Sequence, residues 1–218
     1  MKLTMVSLIP LIMLLAGFTQ AQEQAAIKLL APKLDNDKPL MQAMNDRKSS
    51  REFDTTALSL QDLSNVLWCA NGVNRTDGRR TAPSAMNKQD IDVYAVMKDG
   101  AYLYDAALHQ LTPVAAGDFR KDAGTQDYVA GAPLNLVYVS DQAKFATARQ
   151  PEDKIWMSGL DAGHCSQNVY LYCAAANLAV VTRMSIDKSK MSQILKLKPD
   201  QMVVLAETIG YSKPAEKP

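Results

Sequence analysis

The stretch GLDAGHCSQNVYLYCAAANLAVV, residues 159–181, decides the architecture. It is long, apolar and rich in alanine, and its apolar residues fall nearly all round a helical wheel. A helix with no polar stripe has no solvent face and belongs inside the protein. Asp161 or Ser166 is available to cap its start. The other segments are therefore expected to pack around this element.

Working outward, LNLVYVS (134–140) is a near-continuous apolar run, as expected of a central strand covered on both faces. IDVYAVM (91–97) alternates and is rich in β-branched and aromatic residues. Asp99-Gly100 then separates it from AYLY (101–104) as a tight hairpin. MVVLAETI (202–209) predicts a last strand, preceded by an amphipathic helix that opens at Asp187 and carries Met191, Ile194 and Leu195. Towards the N-terminus, LSLQDLSNVLWCANG (58–72) predicts a helix. Ser59 caps it, Asp62 sits three residues on, Leu60, Leu63, Leu67 and Ala70 recur at helical spacing, and Asn71-Gly72 ends it. PLMQAMNDR (39–47) predicts a shorter helix with proline at its start and an apolar stripe of Leu40, Met41 and Met44. Residues 73–90 are polar, basic and without apolar period, so they form a long loop, and long loops inside compact domains are usually functional. Helices, a hairpin, a strand, a buried helix and a strand in that order make an α+β fold, not a regular βαβ series.

At 218 residues the chain is one ordinary domain with tails. Lys2, the apolar run LIPLIMLLAGF (8–18) and the small and polar residues up to Ala21 read as a secretory signal peptide, too short for a membrane span. The organisation is then a signal peptide at 1–21, a polar lead-in at 22–38 and one domain at 39–218. Removing residues 1–21 takes away one lysine and no acid, leaving 23 basic and 23 acidic residues. That balance argues against a nucleic-acid or anionic-membrane binder. Cys69, Cys165 and Cys173 are no disulfide framework, because Cys165 and Cys173 lie about 12 Å apart along one helix. No C-x-x-C occurs, and His109 and His164 are not at metal-ligand spacing, so no metal site is expected.

Two motifs carry chemistry. In RKSSREFD (47–54), Arg47, Ser49 and Arg51 alternate, so an extended chain points them the same way, with Phe53 turned inward to fix the segment. Two guanidinium forks and a hydroxyl suit a terminal phosphate; alone, the motif equally describes a solvated turn with surface ion pairs. APSAMNKQD (82–90) puts Ser84, Asn87 and Gln89 on a turn stiffened by Pro83, able to bond the edge of a heterocycle or a polyol chain, or simply to cap a helix.

Together these segments resemble the nitroreductase family of FMN-dependent oxidoreductases. The R-x-S-x-R-x-F pattern is matched by Arg47, Ser49, Arg51 and Phe53, and the P-S-x-x-N-x-Q pattern by Pro83, Ser84, Asn87 and Gln89. LWCANGVNR (67–75) and QDYVAGAPLNLVYV (126–139) resemble the short SagB-type branch. SQNVYLYCAAANLAVV (166–181) and LAETIGYSKP (205–214) resemble the family's long helix and its close. The chain departs from the pattern at Asn177 and Ala179, where glycines are usual, and at Asp90, where proline is common.

The resemblance implies a mostly antiparallel central sheet flanked by helices in an intertwined homodimer. It implies that Arg47, Lys48, Ser49 and Arg51 hold the FMN phosphate and ribityl chain. Pro83, Ser84 and Asn87 then reach the same cofactor from the other subunit. Thr182–Ser185 passes the reactive ring edge, with Arg183 and Met184 nearby, and Gln126 and Lys213 are further cofactor contacts. It implies ping-pong two-electron transfer to a small acceptor such as a nitroaromatic or quinone, with no essential acid–base side chain. Export separates the protein from cytoplasmic NAD(P)H, so the electron donor is open. Two alternatives stand beside this reading: a flavin-binding electron carrier, and an exported binding module for another phosphorylated ligand.

Overall fold

In chain order the elements of the computed structural model are β1 (Ile27–Lys28), α1 (Leu40–Asp46), α2 (Leu60–Asn71), β2 (Ile91–Val96), β3 (Gly100–Asp105) and β4 (Gln110–Ala116). They continue with α3 (Asp127–Gly131), β5 (Leu134–Asp141), α4 (Pro151–Ala176), β6 (Leu178–Arg183), α5 (Lys188–Ile194) and β7 (Gln201–Tyr211). The structure describes residues 24–35, 38–146 and 150–213, so the signal-peptide reading at 1–21 lies outside the described residues.

The strands form one sheet in the order β1-β4-β3-β2-β5-β7-β6, and every neighbouring pair is antiparallel. This is the α+β, antiparallel architecture the sequence indicates. β5 lies well inside the sheet, and its residues alternate between two cores. Leu134, Leu136 and Tyr138 join Val66, Leu67, Ala162 and Val169 under α2 and α4. Val137 and Val139 join Val203, Met191 and Leu195 under α5 on the other face. Burial on both sides explains the unbroken apolar run.

Several expectations shift. α4 starts at Pro151, well before Asp161 or Ser166, with the Gln150 N–H donating to Asp153 Oδ2 at 3.3 Å. Proline at the first helical position needs no N–H partner. At the other end LAVV is strand β6, not helix: Asn177 takes the left-handed conformation (φ 57°) and turns the chain at once into β-branched sequence. Asparagine tolerates that conformation better than most residues, so it does here what glycine would do. Nor is α4 buried all round. Ile155, Trp156 and Leu160 face outward, Trp156 73% exposed, beside Gly159 and Gly163. Leu40, Met41 and Met44 of α1 are likewise exposed, while Ala43 packs inward. The hairpin turns on Lys98-Asp99, with the Met97 N–H bonded to the Gly100 carbonyl at 2.8 Å. β1 and β4 were not foreseen. β4 contains Pro113 and is half-buried, with a weak alternation.

Asn177→Val is expected to cost about 1–2 kcal/mol, because a β-branched residue strains in the left-handed region. A lowered urea midpoint at unchanged slope would report it, whereas Asn177→Gly should leave the midpoint nearly in place.

Candidate functional site

The cationic segment 47–54 runs extended along one margin of the sheet, fastened by main-chain bonds. The Ser50 N–H donates to the Val180 carbonyl at 2.9 Å, Asp54 to Tyr211 at 2.9 Å, and Lys213 to Glu52 at 3.3 Å. Phe53 bridges to Ser212 and packs on Tyr128, ring centroids 5.7 Å apart. A Cβ on Gly210 would clash with Pro133 at 2.8 Å while only touching Phe53, so it is the Pro133 approach that depends on that glycine. Phe53 thus anchors the segment, and the fastening brings the Lys213 backbone against Glu52.

Arg47 and Ser49 converge on Tyr170 of α4. The Arg47 guanidinium lies 5.3 Å from the ring centroid, and Ser49 Oγ is 2.8 Å from the phenol oxygen. The same phenol oxygen accepts the Thr182 N–H at 3.0 Å. One hydroxyl therefore ties the cationic segment to the end of β6, where Thr182–Ser185 leaves the sheet. Lys48 points elsewhere, into a polar cleft with Lys38, Asp46, Asn177 and Ser212. Arg51 is exposed, one residue before Glu52, whose carbonyl holds the Lys213 N–H.

Thr182 leads to a buried acid. Glu207 of β7 is fully enclosed and accepts from Tyr138 Oη at 2.6 Å and from Ser166 Oγ and Thr182 Oγ1 at 3.1 Å each. Burial pushes its carboxyl up to about 7 despite those three hydroxyl donors. Sequence reading missed Glu207, Thr182 as a side-chain donor, and Tyr170. The available signal was an acid in the middle of an apolar strand, MVVLAETI.

Arg183 alternates to the opposite face of the sheet. It is 7% exposed, and its Nη2 donates to Asn135 Oδ1 at 2.7 Å and Thr208 Oγ1 at 2.8 Å. Burial pulls its guanidinium down to about 10, so it stays charged at neutral pH. Nε and Nη1 have no hydrogen-bond partner, and neither has Oε1 of Gln126, at the start of α3. Gly124 lies against the guanidinium, where a Cβ would meet Cζ at 2.8 Å. Buried orphan donors and acceptors are uncommon and call for a reason. Met184, next in the chain, is exposed.

The Pro83–Gln89 turn is held from below by α4. Both carboxylate oxygens of Asp161 accept the Ala85 N–H, at 3.0 and 2.9 Å, and Ser84 Oγ accepts the Gln89 N–H at 2.8 Å. Met86, Asn87 and Gln89 all take positive φ, 51°, 52° and 49°. For non-glycine residues that conformation costs on the order of 1 kcal/mol each, and it persists only where the surroundings enforce it. Pro83 and Asn87 are exposed, whereas the Gln89 side chain is turned back onto Arg80 and Gly78. Asp161 and Tyr170 are nine residues apart, about 13 Å along the helix axis. Within one chain the two motifs therefore sit at different points of α4 and do not meet.

The thiols of Cys69, Cys165 and Cys173 are unbridged, and burial pushes all three up, Cys69 to about 12. Among the described residues no group of three metal-ligating acids, histidines or cysteines occurs, and no helix is long and apolar enough to cross a membrane.

The nitroreductase family model matches residues 44–211, which takes in both motifs, α4 and the closing strand. The chain belongs to the nitroreductase family. It is an oxidoreductase of the flavin-dependent kind found there. A solved structure from Ralstonia eutropha JMP134, named provisionally as a nitroreductase, superposes with a TM-score of 0.82 at 38% identity, covering 87% of this chain and 90% of that one. A protein of Methanocaldococcus jannaschii, also provisionally a nitroreductase by name, is 26% identical over 170 residues, 73% of this chain and 85% of its own. A Staphylococcus epidermidis structure titled provisionally as an NAD(P)H:FMN oxidoreductase shares the fold, with a TM-score of 0.62 at 15% identity over 85% of this chain and 93% of that one.

Glu207 generates a pH prediction with a definite sign. Its folded-state value lies above that of an unfolded glutamate, so its contribution to stability is complete below about pH 4 and is lost as pH rises through about 7. Glu207→Gln removes that slope. Chemical denaturation at pH 5 and pH 7.5 should show the wild type losing roughly 2 kcal/mol more than the variant between them.

Proposed function

We propose that the protein is an exported, FMN-dependent oxidoreductase of the short SagB-type branch, acting as a homodimer on nitroaromatic or quinone-type acceptors. The observation that carries this is the single Tyr170 hydroxyl joining Ser49 to Thr182. It sets a segment suited to a dianionic phosphate beside the strand end that approaches the ring. The donor set fits a flavin nucleotide. Arg47, Ser49 and Arg51, with Lys213 alongside, supply charge and hydroxyls for the phosphate and ribityl chain. Ser84 and Asn87 offer short polar groups from a second chain, and the orphaned Gln126 Oε1 and Arg183 N–H groups supply polarity near the other face of the β6 end.

The bound flavin supplies the two-electron redox step, as cofactors do the hard chemistry while the protein positions and shelters them. Arg183 keeps a fixed positive charge at the β6 end, where it favours accumulation of negative charge. The exposed Met184 gives an incoming acceptor an apolar surface rather than a proton donor. No side chain need exchange a proton with substrate in this reading. A signal peptide at 1–21 takes the mature enzyme away from NAD(P)H, so a quinol or a redox protein is the reductant. The likeness to the NAD(P)H:FMN oxidoreductase fold supports the flavin, not that donor.

Dimerisation is supported by surface chemistry. Ile155, Trp156 and Leu160 on α4 and Leu40, Met41 and Met44 on α1 leave apolar side chains in solvent that a second copy would cover. Gly159 and Gly163 have open space above them, allowing close helix approach. A second copy is also what would carry the turn of one chain to the cationic segment of the other, since within one chain the two sit at different points of α4.

Arg47→Ala with Arg51→Ala is expected to weaken FMN binding by at least about tenfold while circular dichroism stays native. A folded double variant that keeps full FMN affinity sinks the phosphate assignment. Leu160→Glu should shift sedimentation from dimer to monomer and lower FMN occupancy with it; a dimer unaffected by that charge would place the subunit contact elsewhere.

A further inference from the structure

Beneath the Pro83–Gln89 turn lies a pair of buried carboxyls not used so far. Asp90, directly after the turn, is wholly buried. Its Oδ2 accepts from Ser140 Oγ at 2.7 Å, and Ser140 Oγ in turn lies 2.8 Å from Ser158 Oγ, while Oδ1 faces no donor. Ser158 and Asp161 are three residues apart on one face of α4, so the same hydroxyl chain sets Asp90 against the Asp161 carboxyl, 3% exposed, whose two oxygens both hold the Ala85 N–H. Two carboxylates do not stay in contact away from water unless a proton lies between them. The Lys144 ammonium donates to the Gln89 carbonyl at 2.8 Å. The charged or titratable groups beside the pair are Cys165 on α4, a buried thiol, and Asp141 at the end of β5, whose N–H donates to the Asp90 carbonyl; Asp92, two residues on in β2, has Lys144, Asp141 and Arg80 around it. Burial first, and then the Asp161 contact, push Asp90 up to about 7, against the opposing Ser140 bond.

We propose that Asp90 donates its carboxyl proton to Asp161 and that the two act as a positioning pair that keeps the Ala85–Gln89 turn in its left-handed form, presenting Ser84 and Asn87 for cofactor capture. When the proton leaves to solvent, the two carboxylates repel, Asp161 draws away from the Ala85 N–H, and the turn relaxes. Cofactor capture then weakens as pH rises past neutrality. Glu207 titrates in the same range, but it bonds Ser166, Thr182 and Tyr138 and has no contact with the turn. The effect on capture rests on the flavin reading above; the effect on the turn does not.

The test uses the full chain without cofactor. Hydrogen-exchange protection factors, corrected for the intrinsic pH dependence of exchange, are read at the Ala85 and Gln89 amides from about pH 6 to pH 8.5. In the wild type, protection at Ala85 should fall by about tenfold over that range. In Asp90→Asn, whose amide donates to Asp161 without titrating, protection should stay level and high. Asp90→Ala should be poorly protected throughout. FMN affinity, read by flavin fluorescence, should drop at least fivefold more in the wild type than in Asp90→Asn, a ratio that cancels titration of the phosphate and of Glu207. Level protection in the wild type, or an equal fall in Asp90→Asn, overturns the proposal. If no variant binds FMN at any pH, the flavin reading fails, and the exchange data still decide the acid pair.

Discussion

Polar groups buried against a sheet must find partners, and on α4 that requirement organises the molecule. The helix presents Ser158, Asp161, Ser166 and Tyr170 to the interior, all nearly or fully buried. Ser158 is bonded to Ser140, Asp161 to the turn at Ala85, Ser166 to Thr182 and Glu207, and Tyr170 to Ser49 and Thr182. The partners of this one helix face are therefore the segments that build the site. An apolar α4 would bury as much area and leave those segments without a reason to hold their conformations.

That dependence explains which features were legible in the sequence. Strands β2, β3, β5 and β7 announce themselves through β-branched alternation or continuous apolar runs, and α2 through Ser59, whose Oγ accepts the Asp62 N–H at 3.0 Å. Arg47, Ser49 and Phe53 were legible because alternation on an extended chain is a local rule. The convergence on Tyr170 was not, since it joins residues 121 positions apart. The limits of α4 failed for a different reason. The sequence reading starts the helix at Gly159, whereas α4 begins at Pro151; the added turns carry Glu152, Asp153 and Lys154, and their Ile155 and Trp156 point to solvent, so no core-facing stripe marks them. The apolar stripe of α1 is there as read, but its Leu40, Met41 and Met44 look outward and Ala43 packs inward, which the pattern alone does not tell.

Asn177 shows a departure from a pattern doing the pattern's work. The α4–β6 junction needs one left-handed residue so that Leu178 can enter the sheet at once. Asparagine supplies it, with its Oδ1 accepting from Lys38 Nζ at 3.2 Å. Ala179, at the second missing glycine, is an ordinary strand residue paired with Gly210. The exit from α4 is preserved, and so is the path of Thr182 past Tyr170.

Two buried acids, Asp90 and Glu207, lie along the same helix yet are built differently. Glu207 is surrounded by three hydroxyl donors, so either protonation state finds partners and the strand around it does not have to move. Asp90 has one hydroxyl donor and one carboxyl, so only the protonated state is satisfied. Removing one partner from a buried polar pair is costly because the survivor is left unmatched. The difference lies in what each acid is attached to. Glu207 is set in a central ladder between β5 and β6, paired on both sides and unable to shift. Asp90 ends a turn with three strained residues and, next to it, a single strand, so an imbalance there is relieved by movement of the turn. A proton lost from Glu207 changes stability; a proton lost from Asp90 changes shape.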